Sequence, residues 1–447
     1  MRDVLALLLV VASALACARE AQPPNLILIS IDTLRADRLG CYGYARPTSP
    51  FLDREARRGV LFSDVTASSS WTYPSHASMF TGLYPSRNGA TELKQRLRPD
   101  ALSLAEILAA RGYRAAGVVS STLFLGYGLE RGFEKLQYVD PGGPEPSKVS
   151  ATAIEWLTHV ERTRPFFYLV HYLDPHSDYS SLPEYEREFV RPYDGKASGK
   201  SEQLFQALSG FLKFEADDAR HLSDLYDAGV RQQDAELQKL FTFLDGSGLR
   251  ANTWIVLTSD HGEEFLEHGG VMHGLTQYEE SVRVPLIVWG PSIASGARVE
   301  TPVSLVDLLP TALDVLGVPT PAGLDGVSLR PSWESGVTPL RALFIEADMD
   351  PPGPTATTMV PGDDLAARWG KFKLLLDPAH GVARLYDIEN DPAEAHDVSS
   401  EYHELVADLR AELEHFRTLR ATRGQAEALS ETDLKRLQDL GYAGKEE

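Results

Sequence analysis

Five short apolar runs constrain what this chain can fold into more than any other feature. They are LILISI at 26–31, AAGVVS at 115–120, PFFYLVHY at 165–172, TWIVLT at 253–258 and VPLIVW at 284–289. Each is rich in β-branched and aromatic residues and too short for a stable helix. Each is also apolar at consecutive positions rather than alternate ones, the pattern of a strand buried on both faces. Helical spacing separates them, over 102–110 up to Gly112 and over 226–244 up to Gly246 and Gly248. Strands alternating with helices predict an α/β fold with a doubly wound, mostly parallel central sheet. Ligands of such sheets bind beyond the carboxyl ends of the strands.

The texture changes around 330–340. Short strands are expected at 343–347, 371–376 and 384–388, followed by an amphipathic helix at 402–417. The stretch 350–362 reads as a loop rich in proline and glycine. This gives a main α/β domain over 23–335 and a smaller C-terminal α+β subdomain over 336–447. Residues 180–222 are polar and read as an irregular insertion near the site. No internal repeat is present.

Residues 1–22 read as an export signal. Arg2 precedes an uncharged run over 4–16, too short for the ~20 residues that span a bilayer. The run ends in Ser13-Ala14-Leu15-Ala16-Cys17. Two outcomes fit: cleavage after an Ala-x-Ala stretch, or lipid attachment at Cys17, since the segment resembles a bacterial lipobox. The expected location is therefore the periplasm, free or as a membrane-anchored lipoprotein, with that anchor the sole membrane contact. Cys41 is the other of two cysteines, so neither a disulfide framework nor a thiolate zinc site is available. The formal net charge of −21 argues against a nucleic-acid partner, because neutralising phosphates needs basic surface. It leaves small anionic substrates open, since a bound cation reverses the local sign.

Polar groups cluster just past the expected strands. Asp32 follows the first. Asp174, His176 and Asp178 follow the third, and Asp260 and His261 the fourth, with His273 thirteen residues beyond Asp260. Strand-end carboxylates and imidazoles converging on one sheet edge suit a divalent cation, and imidazole ligation favours zinc or manganese over calcium. Singly, an Asp after a strand is more often a helix N-cap, and DPHSDY is also readable as a turn. In SSSWTYPSHASMFTG, Pro74 favours the first turn of a helix that Gly82 would end. Thr72 then sits at a helix N-terminus, which favours an anion, although an ordinary N-cap has the same signature.

Together these stretches resemble the sulfatase family of the alkaline phosphatase superfamily. The likeness runs through DTLRADRLGCYGY (32–44), TYPSHASMFTGLYPSRNG (72–89), HYLDPHSDY (171–179), SDHGEEFLEHG (259–269), YEESVRVPLIVWGP (278–291), VSLVDLLPTALDVLGVPTPAGLDGVSL (303–329), LYDIENDPAE (385–394) and LGY (440–442). The resemblance implies an alkaline-phosphatase-like fold and a metal-dependent ester hydrolase. The departures are specific. Sulfatases begin their C/S-x-P-x-R motif with Cys or Ser, matured to formylglycine; this chain has Thr72, and His76 replaces the arginine. The family's all-oxygen calcium site pairs two aspartates and later an Asp-Asn; here these are Asp32-Thr33 and Asp260-His261. The sulfate-contacting Lys and His fall on Ser120 and Thr122, and a later lysine becomes His273. These changes resemble the branch that uses threonine as nucleophile on phosphate esters.

What the resemblance implies is a cation on Asp32, Thr72, Asp260 and His261, with Thr72 attacking phosphorus and His176 or His273 protonating the leaving oxygen. Zinc or manganese suits the site better than calcium or magnesium. One ion is expected and a second has candidate ligands in Asp174, Asp178 or His176, and His273. The substrate is a small anionic ester or an envelope glycan or lipid headgroup, with Tyr127, Tyr179 and Tyr185 as candidate lining. Two rivals remain: a sulfuric ester hydrolase using the same unmodified threonine, and a non-catalytic envelope binding protein.

Overall fold

The computed structural model describes residues 22–91, 95–140, 147–293, 296–347, 364–377 and 382–419. The export signal with Cys17, the whole of the 350–362 loop and the closing LGY lie outside these residues.

Among the described residues the main sheet has eight strands: β1 (Asn25–Ile31), β2 (Val60–Phe62), β3 (Arg114–Val119), β4 (Lys135–Tyr138), β5 (Phe166–Tyr172), β6 (Thr253–Thr258), β7 (Leu286–Trp289) and β8 (Ala297–Val299). Their spatial order is β8-β2-β7-β6-β1-β5-β3-β4. β1 lies between β5 and β6 and is parallel to both, and β3 continues the parallel set from β5 to β4. β7 alone runs antiparallel, against β6 and β2, while β8 pairs parallel with β2. The sheet is therefore mostly parallel, as expected, with one reversed strand that its apolar sequence does not distinguish.

Both faces are covered, which explains the continuous apolar runs. Leu26 and Leu28 of β1 enter one core, while Ile27, Ile29 and Ile31 enter the other. Helices α1 (Pro50–Ala56), α2 (Thr72–Thr81), α3 (Leu104–Ala109), α4 (Ser147–His159), α5 (Ala216–Ser247) and α6 (Leu308–Val315) supply the layers. α5 places Leu222, Tyr226, Val230, Leu237, Phe241 and Leu244 in the second core, a stripe at intervals of three, four and seven. Its Asp234 accepts hydrogen bonds from the backbone nitrogens of Phe51 and Leu52, at 2.9 and 2.8 Å. That satisfies two of the donors that the first turn of α1 would otherwise leave open.

The 180–222 stretch corrects the expectation of irregular structure. It forms helices Pro183–Phe189 and Ser201–Leu208 and then the first turns of α5. Polar residues there are the outward faces of helices that bury Phe189, Leu204 and Leu208.

Beyond the main sheet, β9 (Leu343–Ala347), β10 (Asp364–Trp369), β11 (Phe372–Asp377) and β12 (Val382–Asp387) form a four-stranded antiparallel sheet covered by α7 (His403–Thr418). Its core takes in Tyr84 and Val306 from the preceding part of the chain. Arg368 of β10 pairs with Asp64 across the same boundary. No described helix is long and apolar enough to cross a membrane.

Candidate active site

The carboxyl ends of β1, β5 and β6 are tied together by backbone bonds. The Asp32 nitrogen donates to the Tyr172 carbonyl at the end of β5, at 2.9 Å. Thr33 turns the chain with φ at 55°, and its nitrogen donates to Asp260 Oδ1 at 3.3 Å. Leu34 N donates to Ser259 Oγ at 2.8 Å, and the Tyr226 hydroxyl donates to the Thr33 carbonyl at 2.7 Å. Asp260 Oδ1 also accepts the His261 N–H at 2.9 Å. These bonds fix the two aspartates while leaving Asp32 Oδ1 and Asp260 Oδ2 buried without a hydrogen-bond partner.

Thr72 is the first residue of α2, a helix whose ten residues are all buried and which Gly82 closes at φ 66°. It is not the N-cap, a position Trp71 holds in extended conformation. Ser75 Oγ donates to the Asp260 carbonyl at 2.7 Å and so clamps the first turn against the end of β6. This places Thr72 Oγ1 3.3 Å from His261 Nε2. His261 Nδ1 lies 2.9 Å from the Gly262 carbonyl, to which it donates, leaving Nε2 as a lone-pair donor. Nε2 is 3.4 Å from Asp260 Oδ2 and 3.6 Å from Asp32 Oδ1.

Those separations are informative. Metal bonds of ~2.0–2.1 Å in a tetrahedron give ligand–ligand edges of about 3.4 Å. Asp32, Asp260 and His261 form one of the two described side-chain groups able to hold an ion. The orphaned carboxylate oxygens and the oriented imidazole fit a nitrogen-accepting divalent cation.

Electrostatics agrees. Burial pushes the Asp260 carboxyl up to about 6, and the neighbouring Asp32 charge adds to the rise. Asp32 is raised as well, chiefly by burial. Burial drives His261 and His76 down to about 3 and His171 to about 4, so all three imidazoles are neutral at physiological pH. His176 behaves oppositely. Burial disfavours its charge, but Asp32, Glu263 and Asp260 outweigh that and hold it above the usual imidazole range. Its ring lies 4.9 Å from that of His273, whose Nδ1 is 3.0 Å from Glu263 Oε1. His273 is itself 4.4 Å, ring to ring, from His261. His176, His273 and His261 thus form a row beside Thr72.

The other expected site residues stand elsewhere. Asp178 is exposed, its carboxylate bonded to Lys200 Nζ at 3.2 Å and to Ser201 N at 2.6 Å. Neither of the two described groups able to hold an ion contains Asp174, Asp178 or His273, so the expected second ligand set is not assembled. Half-buried Asp174 is instead a carboxyl lifted to about 7 by burial. Ser120 donates to the His171 carbonyl at 3.0 Å and ties β3 to β5. Thr122 begins the one-turn helix Thr122–Phe124. Tyr127 packs on Tyr73, Tyr179 on Tyr226 and Phe265, and Tyr185 lies beneath Arg231, so these tyrosines are packing residues.

Two groups at the site were not singled out from sequence. His171 is wholly buried within β5, with Nε2 3.4 Å from Asp32 Oδ2. Glu263 is equally buried and holds His273. A histidine inside an otherwise apolar strand run, and a glutamate three residues after Asp260 in SDHGEEF, were the available signals.

A family model described as Sulfatase matches residues 24–318. The chain is 28% identical to the ulvan-active sulfatase of Formosa agariphila, over 69% of this chain and 65% of that protein. Human arylsulfatase A is 29% identical, with 87% of this chain and 85% of the relative covered. In fold, the phosphonate monoester hydrolase of Agrobacterium radiobacter superposes with a TM-score of 0.73 at 22% identity, covering 92% of this chain and 98% of the other.

Proposed function

The chain belongs to the sulfatase family, and from that premise we propose that it cleaves phosphate mono- or diesters, by hydrolysis or transfer, through a covalent intermediate on Thr72. One observation carries this reading: the hydroxyl facing His261 Nε2 at 3.3 Å belongs to a threonine. A secondary alcohol cannot mature to formylglycine, so the hydroxyl itself must attack. A divalent cation held by Asp32, Asp260, His261 and Thr72 would supply the charge that lowers the hydroxyl pKa and screens the ester.

The chain's own groups do the rest. α2 directs its positive end toward the phosphoryl group from its first residue, Thr72. Thr72 Oγ1, having released its proton to solvent at its lowered pKa, bonds to phosphorus as the bond to the leaving oxygen breaks. His176, whose carboxylate neighbours favour its protonated form, gives that oxygen a proton. Glu263 holds the neutral His273 ring between His176 and His261. Water, or an acceptor alcohol, then gives a proton back to His176 as its oxygen bonds to phosphorus, and the bond from phosphorus to Thr72 Oγ1 breaks to regenerate the threonine.

Sulfuric ester hydrolysis by the same threonine is the second reading, favoured by the sulfatase names of the curated relatives. We place the enzyme outside the cytoplasm, on the sequence of residues 1–22, acting on a small anionic ester or an envelope glycan or lipid headgroup. Residues 23–335 form the catalytic unit and 336–447 its dependent C-terminal piece. The test is turnover of nitrophenyl phosphate, bis-phosphate diester, phosphonate and sulfate, with and without chelator, by wild type and Thr72→Ala. Phosphoester turnover lost in the variant supports the proposal. Sulfate turnover far above every phosphorus substrate reverses it, and a fully active Thr72→Ala removes the nucleophile altogether.

A further inference from the structure

Behind the first group lies a second one: His76, His171 and Asp260, all fully buried, with candidate ligand atoms within 4.8 Å of one another. His171 has both ring nitrogens buried without a hydrogen-bond partner. Two nitrogens without a hydrogen bond on one interior imidazole are costly, because each lost its water on folding and only Nε2 gained a charged neighbour, Asp32 Oδ2 at 3.4 Å. Asp260 Oδ2, also orphaned, lies between the two groups, 3.4 Å from His76 Nδ1 on one side and 3.4 Å from His261 Nε2 on the other. From these contacts we infer that the site is dinuclear, with a second nitrogen-accepting divalent cation of the zinc class on His76, His171 and Asp260, and Asp260 shared between the two ions.

The spacing suits that class. Two imidazoles on one tetrahedral ion, with bonds of ~2.0–2.1 Å, place their ring centres roughly 5 Å apart. The rings of His76 and His171 are 5.2 Å apart and inclined at 68°. His76 is oriented for the task by Ser30, whose Oγ is 2.9 Å from Nε2. With the proton on Nε2 and donated to Ser30, the Nδ1 lone pair faces Asp260 Oδ2 and the Thr72 carbonyl at 2.9 Å. Without an ion the proton sits on Nδ1 and donates to that carbonyl, so binding moves one proton across the ring. Phe124 walls the pocket against both rings, at 4.6 Å from each, and so keeps bulk water out.

The charge balance asks for a second ion too. Asp32, Asp260 and a monoester dianion carry four negative charges, and one dication with a protonated His176 compensates three of them. Arg35, the guanidinium that reaches the Glu263 carbonyl, is already engaged by Asp37 and Glu267. This inference rests on the first cation site of the proposed function. It also relocates the second ion from the Asp174, Asp178 and His273 set to the opposite side of Asp260.

The test is metal content by plasma mass spectrometry on purified, zinc-reconstituted protein, with anomalous diffraction at the zinc edge to place the ions. Two ions per wild-type chain are expected, falling to one in His171→Gln and in His76→Gln, with the remaining peak beside Asp32 and His261. A single ion in wild type, or an unchanged count in both variants, overturns the inference and leaves the phosphoester reading standing. A second anomalous peak beside Asp174 or His273 overturns it equally. Should a variant fail to fold, the wild-type anomalous map decides alone. Absence of any ion defeats this inference and the first cation site together.

Discussion

Lys373 offers the sharpest structural prediction, because it joins the C-terminal sheet to the segment that follows His273. It is wholly buried on β11, with Nζ 2.7 Å from Glu394, 3.0 Å from Glu279 and 2.8 Å from the Gln277 carbonyl. Glu394 also accepts the Glu279 N–H at 2.6 Å. One lysine cannot neutralise two carboxylates. Against the cost of burial, Lys373, Arg368 and Arg283 hold Glu279 down to about 2. Burial lifts Glu394 to about 7, and Glu279's charge adds to it. Lys373→Met leaves two buried carboxyls facing each other without the ammonium between them, a loss of about 3–5 kcal/mol. At a urea slope of about 3 kcal/mol/M, the midpoint falls by about 1–1.7 M, and by less if this large chain has a steeper slope. The assay is urea unfolding followed by tryptophan fluorescence, repeated on Lys373→Met/Glu279→Gln/Glu394→Gln, which should recover most of the loss. A single variant within about 1 kcal/mol of wild type, or a triple variant no better than the single, refutes the reasoning. The pH dependence has two arms. Glu279 is depressed from 4.5, so its contribution is present above pH 4.5 and lost as pH falls toward 2. Glu394 is raised, so its contribution is present below 4.5 and lost as pH rises through 7. Wild type should show both arms and the triple variant neither.

Three further outcomes follow from the geometry. Dialysis against a strong chelator should abolish turnover, and zinc or manganese should restore more of it than calcium; full activity after verified metal removal contradicts the ligand assignment. His176→Gln should lower kcat by ~10²–10⁴ on alkyl phosphoesters, whose leaving oxygen needs the proton. It should cost far less on nitrophenyl esters, and an equal loss on both would remove His176 as the acid. Asp234→Ala should destabilise the fold by about 2 kcal/mol, through the two α1 nitrogens it leaves unbonded, with kcat unchanged in the folded protein.

Much of this architecture was legible because burial on both faces writes itself into composition. LILISI and TWIVLT became β1 and β6, and Asp32 and Asp260-His261 came together at their ends as the doubly wound reading required. The direction of β7 was not legible, since an apolar run reads the same either way. Neither were the three-residue strands β2 and β8, too short for any period to show. Within the site, sequence spacing misled where chain geometry intervened. Asp174 and Asp178 are four apart, yet the chain turns between them and Asp178 ends on the surface with Lys200. His171 was hidden for the opposite reason. It sits in a strand whose other residues are all apolar, where a lone polar residue passes for a satisfied core group until its neighbours Asp32, His76 and Asp260 are in view.

The central claim is that Thr72 carries the phosphoryl group during turnover. Rapid acid quench of the enzyme with a phosphoester in excess, followed by peptide mass spectrometry, tests it directly. We expect a phosphoryl adduct on Thr72 in the peptide spanning the start of α2, formed within the first turnover and absent from Thr72→Ala. Turnover of the phosphoester with that peptide unmodified at every quench time, and with no burst of the leaving alcohol, would contradict the account.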